Sequence, residues 1–223
     1  MTSVEPAIAA GAAPLPTLSL TDVACRRGQR LLFKGLNLEL RPRQAIWLRG
    51  RNGRGKTSLL RLAAGLAVPE AGYVAWGGTP VRRAEGYLQR LVYIGHTNAL
   101  KDDLTVTEAL QFLARLHGRP DDAATLRAAL ERLGMGSRRD AFVRTLSQGQ
   151  RRRASMARLA LEQQASLWIL DEPYDALDVD GVRVVNELLH AHLARGGSVL
   201  LTSHQHPGAQ APAVAEFDLD PYG

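Results

Sequence analysis

Gly50-Arg51-Asn52-Gly53-Arg54-Gly55-Lys56-Thr57 fits the pattern G-x-x-x-x-G-K-[ST] at every fixed position. An apolar run, Ala45-Ile46-Trp47-Leu48, precedes it, and a helix-like run, Thr57-Ser58-Leu59-Leu60-Arg61-Leu62-Ala63-Ala64, follows it. Strand, glycine loop and helix in that order predict a phosphate-binding loop. Glycines let successive backbone N–H groups converge on an anion, which a side chain at Cβ would obstruct. The helix N-terminus adds a partial positive charge at the same point. Lys56 can then reach the β- and γ-phosphates of a nucleotide, and the Thr57 hydroxyl can hold Mg2+. All eight residues are read as nucleotide-binding.

Outward from this loop the chain alternates strand and helix patterns. Thr17–Ala24 and Leu36–Leu40 alternate apolar and polar residues, as half-buried strands do. Ala45–Arg49 is more continuously apolar, like a central strand. Tyr73-Val74-Ala75-Trp76 and Leu91-Val92-Tyr93-Ile94 are further short strands. A helical section follows. Thr105-Val106-Thr107-Glu108 has capping-box spacing, with Leu110, Leu113 and Leu116 on one face behind it. Leu126, Leu130 and Leu133 mark a second helix, stopped by Gly134. The alternation then resumes: strands at Leu167–Leu170 and Ser198–Thr202 flank a helix marked by Val182, Val185, Leu189 and Leu193. The pattern predicts an α/β core carrying a helical lobe at about residues 97–145.

Composition narrows the class. A chain of 223 residues with 45% apolar content suffices for one sizeable globular domain. No stretch approaches the ~20 apolar residues of a membrane span. Residues 1–16 are rich in Ala, Pro and Gly, lack Lys and Arg, and read as a flexible tail rather than a signal peptide. That leaves residues 17–223 as a single domain. Cys25 is the only cysteine, so no intrachain disulfide forms, and it reads as a small buried apolar residue. The net charge is +6, and of the 28 basic residues only Lys34, Lys56 and Lys101 are lysines. Such a surface suits an anionic partner, although plain solvated arginines explain it equally well.

A second acidic motif, Leu167-Trp168-Ile169-Leu170-Asp171-Glu172, describes a buried strand delivering two carboxylates to its C-terminal edge. Open α/β sheets bind ligands at that edge. Asp171 is placed to hold Mg2+ through water, and Glu172 to polarise an attacking water. Upstream lies Leu146-Ser147-Gln148-Gly149-Gln150, then Arg151-Arg152-Arg153. Ser147 can cap the helix while its hydroxyl and the Gly149 N–H face a phosphate. The bland alternative is a capped helix with a basic face.

At this segment the chain resembles the ATP-binding-cassette family, whose signature is L-S-G-G-Q followed by a basic helix. Gln148 departs from the commonest third residue; Ser147, Gly149 and Gln150 match. Further motifs follow in family order. Ala176-Leu177-Asp178 resembles the D-loop, and Thr202-Ser203-His204-Gln205 places His204 as the switch histidine that contacts the γ-phosphate. The resemblance covers residues 17–210. It implies a P-loop NTPase fold with a helical subdomain and an antiparallel β subdomain. It also implies ATP and Mg2+ as cofactors, with catalytic roles for Glu172 and His204. Two protomers would close head to tail, each signature segment, Ser147 to Gln150, serving the partner's nucleotide.

Two positions depart from the family. Where an aromatic residue usually stacks on adenine, this chain reads Cys25-Arg26-Arg27-Gly28; an Arg guanidinium could stack there, and the sequence does not choose which. Where the Q-loop glutamine should follow Leu91–Gly95, the chain has His96. Gly95-His96, Lys101, Leu104-Thr105, the run from Leu167 to Pro173 and the word around His204 are similar to one subfamily. It comprises the haem-exporter ATP-binding subunits of the bacterial cytochrome c maturation system. That resemblance implies membrane-spanning partner subunits and a peripheral place on the cytoplasmic face of the inner membrane. His96 has no Cys or His partner at ligand spacing, so it reads as a loop residue near nucleotide and membrane subunit rather than a haem ligand. An ATPase for another small-molecule exporter is the same-class rival. A cassette acting on nucleic acid is the rival from another class. The span from His96 to Ser147 is too short for the coiled-coil arm of DNA-repair members, and the chain has one cassette where ribosome-acting members usually have two.

Overall fold

The computed structural model describes residues 14–204 and 211–223. Most of the expected loose tail, and Gln205 after the switch histidine, lie outside these residues. Leu15, read as part of the tail, is buried.

Two sheets organise the molecule. The first is antiparallel, in the order β2-β1-β4-β5, from β1 (Leu18–Arg27), β2 (Arg30–Leu40), β4 (Ala71–Trp76) and β5 (Thr79–Pro80). The second has the order β6-β7-β8-β3-β9, from β6 (Leu91–Ile94), β7 (Leu167–Leu170), β8 (Ser198–Thr202), β3 (Ala45–Arg49) and β9 (Ala215–Asp218). All its pairings are parallel.

Period-2 alternation assigns the inner strands of this second sheet to two cores. Ile46, Leu48, Leu167, Ile169 and Leu200 face the core shared with α1 (Lys56–Ala63) and the antiparallel sheet. Trp47, Val92, Trp168, Leu170 and Leu201 face the other, shared with α5 (Val179–Ala194) and the helical lobe. Strands buried on both faces read as continuous apolar runs, which is why β3 and β7 carry no polar alternation.

The lobe holds α2 (Val106–Leu116) and α3 (Ala123–Arg132). Thr105 and Glu108 form the full reciprocal capping box at the start of α2. Such a cap stabilises a helix end by about 1 kcal/mol. Asp122 caps α3 by a single bond, its side chain accepting from the Thr125 N–H. Arg119, just beyond α2, donates to Glu162 at 2.5 Å, and Ser166 donates to the other oxygen of that carboxylate. This buried pair ties the lobe to the entry of β7. The signature segment starts α4 (Gln148–Met156), where Ser147 and Gln150 make a second capping box.

Several strands run beyond the pattern that predicts them. β2 begins at Arg30 rather than Leu36, β1 ends at Arg27 rather than Ala24, and β4 begins at Ala71 rather than Tyr73. β5 and β9 have no counterpart in the sequence reading. The early part of β2 does carry buried apolar residues, Leu32 and Phe33, but they are adjacent and precede Lys34-Gly35, which breaks the period-2 alternation. β9 is an edge strand with mostly exposed residues.

Candidate active site

The C-terminal ends of β3, β6, β7 and β8 lie along one edge of the parallel sheet. They deliver, respectively, the phosphate loop, Gly95-His96, Asp171-Glu172 and Ser203-His204. Residues far apart in sequence therefore line one cavity of about 610 Å³, among them Lys56, Thr57, His96, Asp171, Glu172 and His204.

Gly55 turns the chain into α1 with φ +105°, and a Cβ there would come within 3.1 Å of Leu32 and Phe33 on β2. The glycine thus lets the loop lie against the antiparallel sheet. Lys56 Nζ donates to the carbonyls of Gly50, at 2.6 Å, and Arg51, at 3.3 Å. The Thr57 hydroxyl donates to Asp171 Oδ2 at 2.9 Å, across 114 residues of chain. Thr202 donates to Asp171 Oδ1 at 2.8 Å and accepts from the Glu172 N–H at 3.0 Å. One oxygen of Asp171 is thereby fixed, and the other is aimed at Thr57.

Glu172 has φ +52°, a left-handed conformation uncommon outside glycine. Its Oε2 accepts from the His204 N–H at 2.8 Å, and its Oε1 lies 3.6 Å from His204 Nε2. Trp47 Nε1 donates to the Ser203 carbonyl at 3.1 Å, holding the switch segment to the central strand. The carboxylate of Glu172 therefore has a fixed place beside an exposed imidazole.

The phosphate loop is less uniform than its sequence. Arg51 and Arg54 turn to a short 3-10 turn at Asp220–Tyr222. The Arg51 N–H donates to Asp220 Oδ1 at 3.0 Å, and both guanidinium groups pair with the same carboxylate. These contacts hold the Asp220 carboxyl below its ordinary range, the Arg51 N–H chiefly and then the two cations. Arg54 also donates to the Gly223 carbonyl at 3.0 Å. Asp220 was not found from the sequence, since a lone acid behind an edge strand carries no pattern.

At the adenine end the structure separates the arginines. Arg26 turns away to Glu70, at 2.9 Å, and to the Gln29 carbonyl. Arg27 and Arg30 line the cavity beside Leu32. Cys25 is buried, and burial, then Glu70, pushes its thiol pKa up.

Ser147 and Gln148 do not line the phosphate-loop cavity of their own chain. Gln148 borders a neighbouring cavity of about 510 Å³ with His96, Arg152 and Ala176. Gly149 packs so closely on the D-loop that a Cβ would lie 2.7 Å from the Ala176 carbonyl. Gln150 spends its side-chain oxygen on the Ser147 N–H. Asp178 caps α5 through the Gly181 N–H and pairs with Arg153; these contacts, the cap first, lower its carboxyl pKa.

The sequence reads Arg151–Arg153 as a basic stretch of helix, and the structure gives its members different surroundings. Arg151 does reach a surface acid, Asp102, at 2.7 Å. Arg152, however, is 3% exposed and donates to the carbonyls of Gly95, Asp171 and Glu172. Burial lowers its pKa, and Asp175, Asp171 and Glu172 oppose that shift. The available signal was helical spacing, because Arg152 shares a face with Ser155 and Met156.

Known proteins share these features. Residues 33–175 match the ABC transporter family. The chain is 47% identical over 192 residues to the cytochrome c biogenesis ATP-binding export protein CcmA of Albidiferax ferrireducens, covering 86% of this chain and 91% of that protein. It is 48% identical over 188 residues to the protein of that name from Methylococcus capsulatus, covering 84% and 90%. A solved ABC transporter ATP-binding protein from Pyrococcus furiosus has the same fold, with a TM-score of 0.76 at 20% identity over 92% of this chain and 98% of that one.

Proposed function

The chain belongs to the ABC transporter family of ATP-binding proteins, and on that premise we propose a specific role. It is the ATP-hydrolysing subunit of an export complex in c-type cytochrome biogenesis, powering haem export or delivery. The observation that carries the hydrolytic reading is the 2.9 Å bond from Thr57 to Asp171 beside Glu172, which unites the phosphate loop and the acidic strand in one cavity. The kinship with the cytochrome c biogenesis proteins carries the pathway.

ATP lies with its phosphates over the loop from Gly50 to Thr57, where Lys56 exchanges its carbonyl contacts for phosphate oxygens. Arg27 and Arg30 flank the base. The hydroxyl of Thr57 and the Asp171 oxygen it bonds to, Oδ2, are hard donors suited to Mg2+, which would supply charge neutralisation on the phosphates when bound. Glu172 orients a water against the γ-phosphorus and takes its proton as the new P–O bond forms and the bond to the bridging oxygen breaks. His204, whose N–H holds the Glu172 carboxylate, contacts the γ-phosphate.

Ser147 and Gln148 are exposed and lie outside their own phosphate-loop cavity, which supports reading the segment from Ser147 through Gln148 and Gly149 to Gln150 as completing the site of a second copy in a head-to-tail dimer. Asp178 adjoins that seam. Closure and opening of the dimer drive membrane-spanning subunits supplied by other chains. Among the described residues no helix is long and apolar enough to cross a membrane. Kinship with the cytochrome c biogenesis export proteins supports a peripheral place on the cytoplasmic face of the bacterial inner membrane. Residues 17–223 act as one nucleotide-binding domain, and Leu15, just ahead of them, packs into its core.

Glu172→Gln keeps the shape and removes the charge. ATP binding should persist, turnover should fall by about 10²–10⁴-fold, and an ATP-bound dimer should accumulate on sizing. Cytochrome c maturation should fail at matched protein levels. Normal turnover in this variant would remove Glu172 from the chemistry.

A further inference from the structure

Arg152 sits on α4, one turn behind the signature residues, with a side chain almost wholly withdrawn from solvent. Its guanidinium donates from Nη1 to the Gly95 carbonyl at 3.1 Å and to Asn98 Oδ1 at 3.2 Å. From Nη2 it donates to the carbonyls of Asp171 at 2.7 Å and Glu172 at 2.5 Å. Four acceptors on two loops thus converge on one planar fork. An ammonium could not serve them in this geometry, because its charge is a compact point at the end of a flexible stem. Two of the acceptors belong to the peptides on either side of the Glu172 Cα, whose φ of +52° persists only where its surroundings hold it. The other two bracket His96.

We propose that Arg152 is a positioning residue that transmits the position of the signature helix to the Glu172 carboxylate and the His96 loop of its own protomer. The inference rests on the reading of Glu172 as the group that orients water. It goes further, because the same helix presents Ser147 and Gly149 to the partner's nucleotide. A shift of α4 on engaging that nucleotide pulls on the Glu172 peptide through Arg152. Occupancy of one site is thereby reported to the acid of the other without any contact between the two nucleotides.

The experiment compares wild type, Arg152→Gln and Arg152→Lys as full-length chains. ATP affinity is measured by equilibrium binding, turnover by steady-state kinetics, and cooperativity by the Hill coefficient for ATP. For Arg152→Gln we expect kcat to fall about 10- to 100-fold, the cost of a misplaced group of about 1 Å. ATP affinity of the monomer should stay within about twofold, since no nucleotide contact is removed. The Hill coefficient should drop towards one. Arg152→Lys should restore thermal stability more than turnover. A merely structural role would lower stability while leaving kcat per folded molecule and the Hill coefficient unchanged, and that result overturns the proposal. Equal losses of affinity and kcat also overturn it. Should Arg152→Gln fail to fold, Asn98→Ala removes one of the four bonds, and an unchanged Hill coefficient in that variant is the refuting outcome. Normal hydrolysis by Glu172→Gln would instead sink the reading of Glu172. An inactive Glu172→Gln beside a normal Arg152→Gln defeats this inference alone.

Discussion

Acid should weaken this fold through one histidine. His192 on α5 is fully buried, its ring stacked on Trp168 with centroids 3.7 Å apart and planes 10° from parallel. Its Nε2 lies 2.8 Å from the Ser166 carbonyl, so that nitrogen carries the proton of a neutral ring. Burial pushes its pKa from 6.5 down to about 3, against smaller opposing hydrogen bonds from the backbone. An unfolded chain takes up a proton on this ring near pH 6.5, and the folded chain does not until about pH 3. Between those values the unfolded state holds more protons, so stability is full above pH 6.5 and falls as pH falls. The slope is about 1.4 kcal/mol per pH unit, giving a loss of about 2 kcal/mol between pH 7 and pH 5. For a chain of this size that lowers Tm by about 4–8 °C.

His117 adds a smaller loss in the same direction, because burial and then Arg158 and Arg119 lower its pKa too. His192→Phe isolates the larger part. It keeps a ring against Trp168 and removes the titrating site, while the Ser166 carbonyl retains the Ser198 N–H at 3.1 Å. Urea unfolding of nucleotide-free protein at pH 7, 6 and 5 should show a steep slope for wild type and a much shallower one for His192→Phe. Parallel slopes would refute the assignment, whatever the absolute stability of the variant.

Three further outcomes address the site. Lys56→Ala should abolish measurable ATPase activity, because the phosphates lose their positioned ammonium; wild-type turnover would take Lys56 out of the mechanism. Ser147→Arg should leave ATP binding to the monomer nearly intact and block hydrolysis in the dimer. Equal loss of monomeric affinity would show that the signature segment acts within its own chain. His96→Gln should keep substantial activity, since a neutral imidazole and an amide each offer one donor and one acceptor. His96→Ala should impair cytochrome c maturation more than ATP binding, and a variant indistinguishable from wild type in both assays would reduce His96 to a bystander.

The sequence exposes what is periodic or fixed by chemistry and hides what depends on side-chain direction. Ala45–Arg49, Leu91–Ile94, Leu167–Leu170 and Ser198–Thr202 have the bounds of β3, β6, β7 and β8, because strands buried on both faces must be apolar throughout. The box at Thr105 is legible because cap and partner sit at a fixed spacing, and Ser147 is legible as a cap, whereas its return bond with Gln150 emerges only from the structure. The early part of β2 breaks its alternation at Leu32-Phe33, which are both buried, and the edge strand β9 is mostly exposed, so neither shows a strand period. Arginine was the least readable residue type. Arg26 turns to Glu70, Arg27 and Arg30 to the cavity, Arg54 to the Asp220 turn, and Arg152 into the interior. A side chain that long can reach several environments from one backbone position, and composition alone does not decide among them.

The chain's near-exclusive use of arginine gives Lys56 an unusual chemical visibility. An amine-acylating reagent meets only three lysine side chains here, and Lys34 and Lys101 stand exposed on the surface. Lys56 is half-buried, with its ammonium held against the carbonyls of Gly50 and Arg51. Partial burial limits the reagent's approach to this amine, so the site should label slowly in the empty protein and more slowly again under nucleotide. Lys34 and Lys101 serve as internal standards in the same digest. Mass-spectrometric footprinting can therefore follow occupancy of the phosphate loop in the unmodified sequence, even within an assembled membrane complex, without a fluorescent nucleotide or an engineered probe.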